Sequence, residues 1–300
     1  MQTRIHYFKL VAAACLLPFI FGPQFAQAQT VDRAVLIELI ELLQQQIVLL
    51  QAQLEARQAS SLISDDRLLE DFPGTVIANY VVQSELLLPP AAPTQHQRYA
   101  DKLRLVLPTQ YRDYINQFVV FADHPEEIAA YVAVSSDGRN TTWMYGVSAE
   151  EINHAATSES SIELMVHEFA HIFSLDQQLA SQTPGSNCPG LYTDLACFSP
   201  GSYLGEFVTD FWDERLLAEL VDAKDSRSPD RELLQFYERY ESEFVSDYAA
   251  TDPSEDFAES FAWYVLDEPV RQGTVAADKV DFMDQFQIIR SYKKHIQSQL

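Results

Sequence analysis

The longest regular pattern of apolar positions lies near the N-terminus. Leu36, Ile40, Leu43, Ile47, Leu50 and Leu54 are spaced 4, 3, 4, 3 and 4 residues apart, an a/d seam with a period near 3.5 residues. No Gly or Pro interrupts residues 31–58, and Leu39, Leu42, Val48 and Leu49 widen the stripe. The pattern predicts one helix over about 29–60. It reads either as a short coiled coil that joins copies of the chain or spaces them from a surface, or as an amphipathic helix lying on the domain that follows. Upstream, the apolar run Leu10–Phe21 follows Arg4 and Lys9 and precedes Ala26-Gln27-Ala28. A basic start, a short apolar stretch and a small-x-small site have the layout of an export signal, residues 1–28. An uncleaved anchor is the other reading, but a run of 12 residues containing Pro18 is short for a membrane span.

After a polar linker at Ala59–Asp66 the pattern changes. Leu86–Pro93 carries three prolines and predicts a loop, and Tyr111–Ile115 predicts the end of a short helix. Phe118–Ala122 and Ala129–Val134 read as strands. Ser135–Asn140 has turn chemistry, and Thr141–Val147 reads as a returning strand. The remainder is mainly helical. The expected architecture over residues 61–300 is α+β: a small, mainly antiparallel sheet packed on one helix, followed by a helical lobe.

Charge narrows the partners. The 300 residues carry a formal net charge of −24. Cleavage after Ala28 would remove two basic residues and no acidic ones, giving −26. Such a chain repels phosphate backbones and anionic lipid, so nucleic acid is excluded as an expected partner. Cys15 would leave with the signal. Cys188 and Cys197 remain, and an even pair in an exported chain suggests a disulfide, with two free thiols or half a metal site as the alternatives.

The candidate chemistry centres on His167-Glu168-Phe169-Ala170-His171, inside the apolar stretch Ile162–Phe173. A helix places positions i and i+4 on one face, so both imidazoles would meet one metal ion. Glu168 lies about 100° around the helix, within reach of an activated water without being a ligand. Ser158, Ser160 or Ser161 would cap the helix. A hydrolytic zinc site takes three protein ligands. The H-E-x-x-H-x-x-G-x-x-H extension is excluded, because Ser174 and Gln177 occupy the Gly and third His positions. Asp176 and His154 are weaker candidates for the third ligand than the segment Tyr248–Tyr264. There Asp252 and Pro253 would start a helix on which Glu255 and Glu259 share a face and Phe257, Phe261 and Tyr264 supply apolar contacts. Two carboxylates one turn apart suit a ligand and an acceptor for a ligating imidazole's N–H.

These two elements resemble the gluzincin peptidases, whose third ligand is a glutamate on a later helix. The nearest resemblance is to the catalytic domain of anthrax lethal factor, which pairs H-E-F-x-H with a tyrosine, six residues, then E-x-F-A-E-x-F. Tyr248, Glu255, Phe257, Ala258, Glu259 and Phe261 match that spacing. The match covers about 30 of 300 residues. The resemblance implies a zincin-like fold with one Zn²⁺ per chain. It implies metal ligands His167, His171 and Glu255, and Glu168 as general base. Tyr248 would be a phenol donor to the oxyanion, and Glu259 a carboxylate behind the ligands. The 84 positions between His171 and Glu255 exceed that family's spacing, and the insert, including Ser202–Trp212, is expected to cap or narrow the cleft.

The expected function is that of a secreted, periplasmic or cell-surface zinc peptidase acting on protein or peptide substrates, with Thr141–Val147 as a sheet edge that pairs with them. No stable membrane span is expected after cleavage, and residues 31–58 offer a route to homo-oligomers. The alternative is a non-catalytic exported adhesion or assembly protein with a coiled coil and a structural zinc.

Overall fold

Four short runs of extended backbone form a mixed sheet: β1 (Thr75–Val81), β2 (Ile115–Ala122), β3 (Ala130–Ser135) and β4 (Thr142–Ser148). The computed structural model describes residues 72–82, 84–135, 142–155, 160–175, 191–192, 197–198 and 201–300, all within the unit Ala52–Leu300. The export signal, the helix over 29–60 and the pairing of Cys188 with Cys197 lie outside the described residues. The strand order is β1-β2-β4-β3. β1 is antiparallel to β2 and β3 is antiparallel to β4, while β2 and β4 run parallel, with Phe118 opposite Tyr145.

β3 and β4 pair antiparallel as the two runs around Ser135–Asn140 predict, but the placement of β4 corrects one expectation. β4 is not an edge. It pairs with β2 on one side and β3 on the other, so its backbone groups are already engaged. Among the described residues, the edge of the sheet on that side is β3. β1 escaped the sequence reading because its first residues, Thr75, Val76 and Ile77, are exposed and show no buried alternation.

Helices cover the sheet and build the second half. They are α1 (Thr94–Val106), α2 (Thr109–Arg112), α3 (Ala149–His154) and α4 (Ser160–Ser174), followed by a two-stranded ribbon of β5 (Leu191–Tyr192) and β6 (Cys197–Phe198). Then come α5 (Tyr203–Phe211), α6 (Glu214–Lys224), α7 (Pro229–Tyr240), α8 (Pro253–Leu266), α9 (Val275–Phe282) and α10 (Gln287–Gln299). No described helix is long and apolar enough to cross a membrane.

α1, which the sequence reading did not assign, buries Tyr99, Ala100, Leu103 and Val106 along one stripe. Pro108 separates it from α2, since proline disfavours helix in the residue before it. Tyr99 packs on Phe118 and Tyr145, whose rings stack 6.0 Å apart. α4 is buried from Met165 to its end at Ser174, and its most extensive helix contact is with α8. Phe169 and Phe173 of α4 meet Phe261 of α8 at 6.2 and 5.9 Å between ring centroids. That packing fixes the relation of the two helices that carry the candidate chemistry.

On the other sheet face, Tyr131 crosses β4 at Gly146. A β-carbon there would lie 2.1 Å from the Tyr131 ring, and that ring is held by Phe72 and Phe121. Gly146→Ala is therefore expected to destabilise the fold by about 1–3 kcal/mol, the usual cost of overpacking. Thermal unfolding of the variant measures it, and an unchanged midpoint contradicts the packing.

Candidate metal centre

α4 presents His167, Glu168 and His171 in a buried setting, at 5, 4 and 8% exposure. Asp252 caps α8 by accepting from the Ser254 N–H at 2.9 Å, and Pro253 occupies the first turn, as expected. Glu255 and Glu259 then face α4 together. His167 Nε2, His171 Nε2 and Glu255 Oε2 form a triangle with every side 3.1 Å. Among the described residues this is the one group of three side chains of metal-ligating type that converges. His154 lies exposed at the end of α3, apart from it, and Asp176 lies outside the described residues.

The donor set fits zinc. A tetrahedral ion with bonds of about 2.0–2.1 Å has ligand atoms about 3.3–3.4 Å apart, so the triangle is close to one face of that tetrahedron. The hydrogen bonding points the same way. His167 Nδ1 lies 2.8 Å from Glu259 Oε1 and donates to it, which leaves the Nε2 lone pair toward the triangle. Two imidazole nitrogens and a carboxylate oxygen at such separations repel unless a proton or a metal cation lies among them.

Protonation follows from this crowding. Burial opposes charge on His167, but hydrogen bonds to Glu255 and Glu259 outweigh it and push the imidazole up to about 10. Burial likewise opposes ionisation of Glu255, yet the charge of His171 and the hydrogen bonds to both histidines hold it well below the usual carboxylate range. Glu168 is pushed up by burial against the opposing pull of His167 and His171.

One residue that sequence reasoning missed completes the support. Ser246 Oγ donates to Glu259 Oε2 at 2.7 Å and accepts from the Ala249 N–H at 3.0 Å. Both oxygens of Glu259 are thus occupied, and the loop that carries Tyr248 is tied to the carboxylate orienting His167. Only its place two residues before Tyr248 marks Ser246 in the sequence. Ser161 does not cap α4. Its hydroxyl donates to Glu151 Oε1 at 2.6 Å, joining α3 to α4.

Tyr248 is half-exposed, with its ring 5.8 Å from that of His167. Its phenol is pushed up by burial of that end and by the negative charge of Glu255, Glu168 and Glu259. Beside it opens a cleft of about 480 Å³, floored by His167 and Glu168 and bordered by Ala129 and Ala130 at the start of β3. Glu126, Glu127, Glu151 and Glu163 line its walls, and no lysine or arginine does. The loop between β2 and β3 holds Asp123 and Glu127 at φ 55° and 53°, a left-handed backbone that costs energy in residues other than glycine. The described part of the insert does not cap this cleft. α5 packs beneath α8 instead, with Phe207 and Phe257 5.4 Å apart.

No family model matches the chain, and neither does any curated protein or solved structure.

Two expectations follow. Glu255→Ala should abolish stoichiometric zinc binding, whereas Ser246→Ala should retain it with affinity weakened about tenfold, as for groups that orient a ligand. Chelator competition measures both, and unchanged zinc binding by Glu255→Ala removes it as a ligand. The second concerns pH in the metal-free chain. A His167 raised from 6.5 to about 10 contributes stability that is fully present below pH 6.5 and lost as pH rises through 10. With chelator, the unfolding midpoint should fall across that window; with zinc in place of the proton it should not. Parallel declines with and without zinc would contradict this.

Proposed function

We propose that the chain is an exported, zinc-dependent peptidase of the gluzincin type, with a zincin-like fold, that hydrolyses peptide bonds of protein substrates. The observation that carries this reading is the His167–His171–Glu255 triangle, with Glu168 on the same helix at the floor of an open cleft. An antiparallel edge strand beside the His-Glu-x-x-His helix, and a ligand glutamate on a second helix, support the zincin comparison.

When bound, zinc would supply a Lewis acid and a water acidic enough to attack near neutral pH. The chain's own residues do the rest. Glu168 takes the proton of the attacking water and passes it to the leaving amine. Its burial, which raises its affinity for a proton, suits both transfers. Tyr248 keeps its proton well beyond neutral pH and donates a hydrogen bond to the developing oxyanion. Glu259, held by Ser246, fixes the His167 tautomer and ring orientation. The edge of β3, unpaired among the described residues, gives an extended peptide a strand to pair with as it enters the cleft.

Cleavage of casein, with and without chelator, tests the reading. Glu168→Gln should keep one zinc per chain and lose about 10²–10⁴-fold in turnover. Tyr248→Phe should keep its zinc and lose about 10²–10³-fold in kcat. Cleavage that survives either the chelator or Glu168→Gln would overturn the mechanism.

A further inference from the structure

The residue after the third ligand is Asp256, and it is wholly buried. So is Lys279 of α9, whose Nζ lies 2.7 Å from Asp256 Oδ2. Trp212, at the end of α5, donates its indole N–H to the same oxygen at 2.9 Å. Lys279 also donates to the Glu243 carbonyl at 2.7 Å, and its ammonium sits 4.1 Å from the centre of the Phe244 ring. One ion pair therefore gathers four pieces of chain: the end of α5, the start of α8, α9 and the segment Glu243–Phe244.

That segment leads directly to the site. Glu243 stands three residues before Ser246 and five before Tyr248. Asp256 lies about 100° around α8 from Glu255, on the flank that meets Lys279 and Trp212 of the helical lobe. Lys279 thus holds that flank of α8 and, through the Glu243 carbonyl, the base of the loop whose Ser246 holds Glu259.

A buried ion pair is a weak source of stability, because desolvation cancels most of the attraction and apolar residues of like volume often serve as well. Its advantage is directional. A carboxylate with two fixed donors tolerates less rotation of α8 than an apolar contact does.

We infer that Asp256, Lys279 and Trp212 are positioning residues for the metal centre: they set the rotation of α8 and the seat of the Glu243–Tyr248 loop, so that Glu255 and Glu259 meet the histidines. This rests on the metal-site reading above and extends it to residues that touch neither the metal nor substrate.

The test separates metal affinity from stability. The double variant Asp256→Leu/Lys279→Met removes both charges and leaves neither unpaired. Trp212→Phe removes only one donor. Zinc dissociation constants are read by chelator competition on the full chain, at a temperature where circular dichroism shows each variant folded. The metal-free double variant should unfold within a few degrees of wild type while binding zinc about tenfold or more weakly, the range expected for outer groups of a metal site. Trp212→Phe should weaken zinc by about threefold, a smaller loss than that expected when an outer group is removed entirely. Wild-type zinc affinity in either folded variant overturns the inference. If the double variant does not fold, Trp212→Phe decides. A wild-type chain that binds no zinc overturns the metal-site reading, and this inference with it.

Discussion

His167 Nε2, His171 Nε2 and Glu255 Oε2 all seek a positive partner, and the chain holds them 3.1 Å apart. Left alone they would separate, because crowding electron-rich atoms away from water is costly. They stay because α4 and α8 cannot part without undoing the Phe169, Phe173 and Phe261 cluster. A cation resolves the conflict. In the metal-free chain a proton held high on His167 does so, and a divalent ion with vacant orbitals does so better. The surroundings make sense as devices that hold this arrangement: Glu259 on Nδ1, Ser246 on Glu259, and the Asp256–Lys279 pair behind the ligand helix.

The same arrangement shapes the cleft. α4 brings Glu168 to its floor, and the start of β3, the edge of the sheet among the described residues, lies at its border. The cleft walls are acidic, in keeping with the chain's overall charge. Tyr248 stands where it reaches Glu255, on a loop anchored at both ends by buried contacts: Glu243 to Lys279, and Ala249 packed in the core.

What the sequence disclosed depended on whether the relevant interaction repeats along the chain. His167 and His171, and again Glu255 and Glu259, are four residues apart, so a helix puts each pair on one face. Their types and the Asp252-Pro253 start were then enough to propose a site. Short apolar runs bounded by turn residues, β2 and the β3–β4 hairpin, were legible too. Which strand lies at the edge was not, because an apolar run identifies a strand and says nothing about its neighbours. β1 was hidden by its exposed first residues. Ser246 and Lys279 act across 13 and 23 positions on partners that no local pattern links to them. Asp256 carries no sequence signal of its own, and only the packing of α5, α8 and α9 shows it buried.

Two imidazole nitrogens and one carboxylate oxygen form a single candidate metal centre. X-ray absorption at the zinc edge of the purified chain tests it most directly. One zinc per chain is expected, with nitrogen and oxygen neighbours at about 2.0–2.2 Å, and loss of that signal in His171→Ala. A sulfur neighbour at about 2.3 Å, or a chain that retains no zinc, would contradict it.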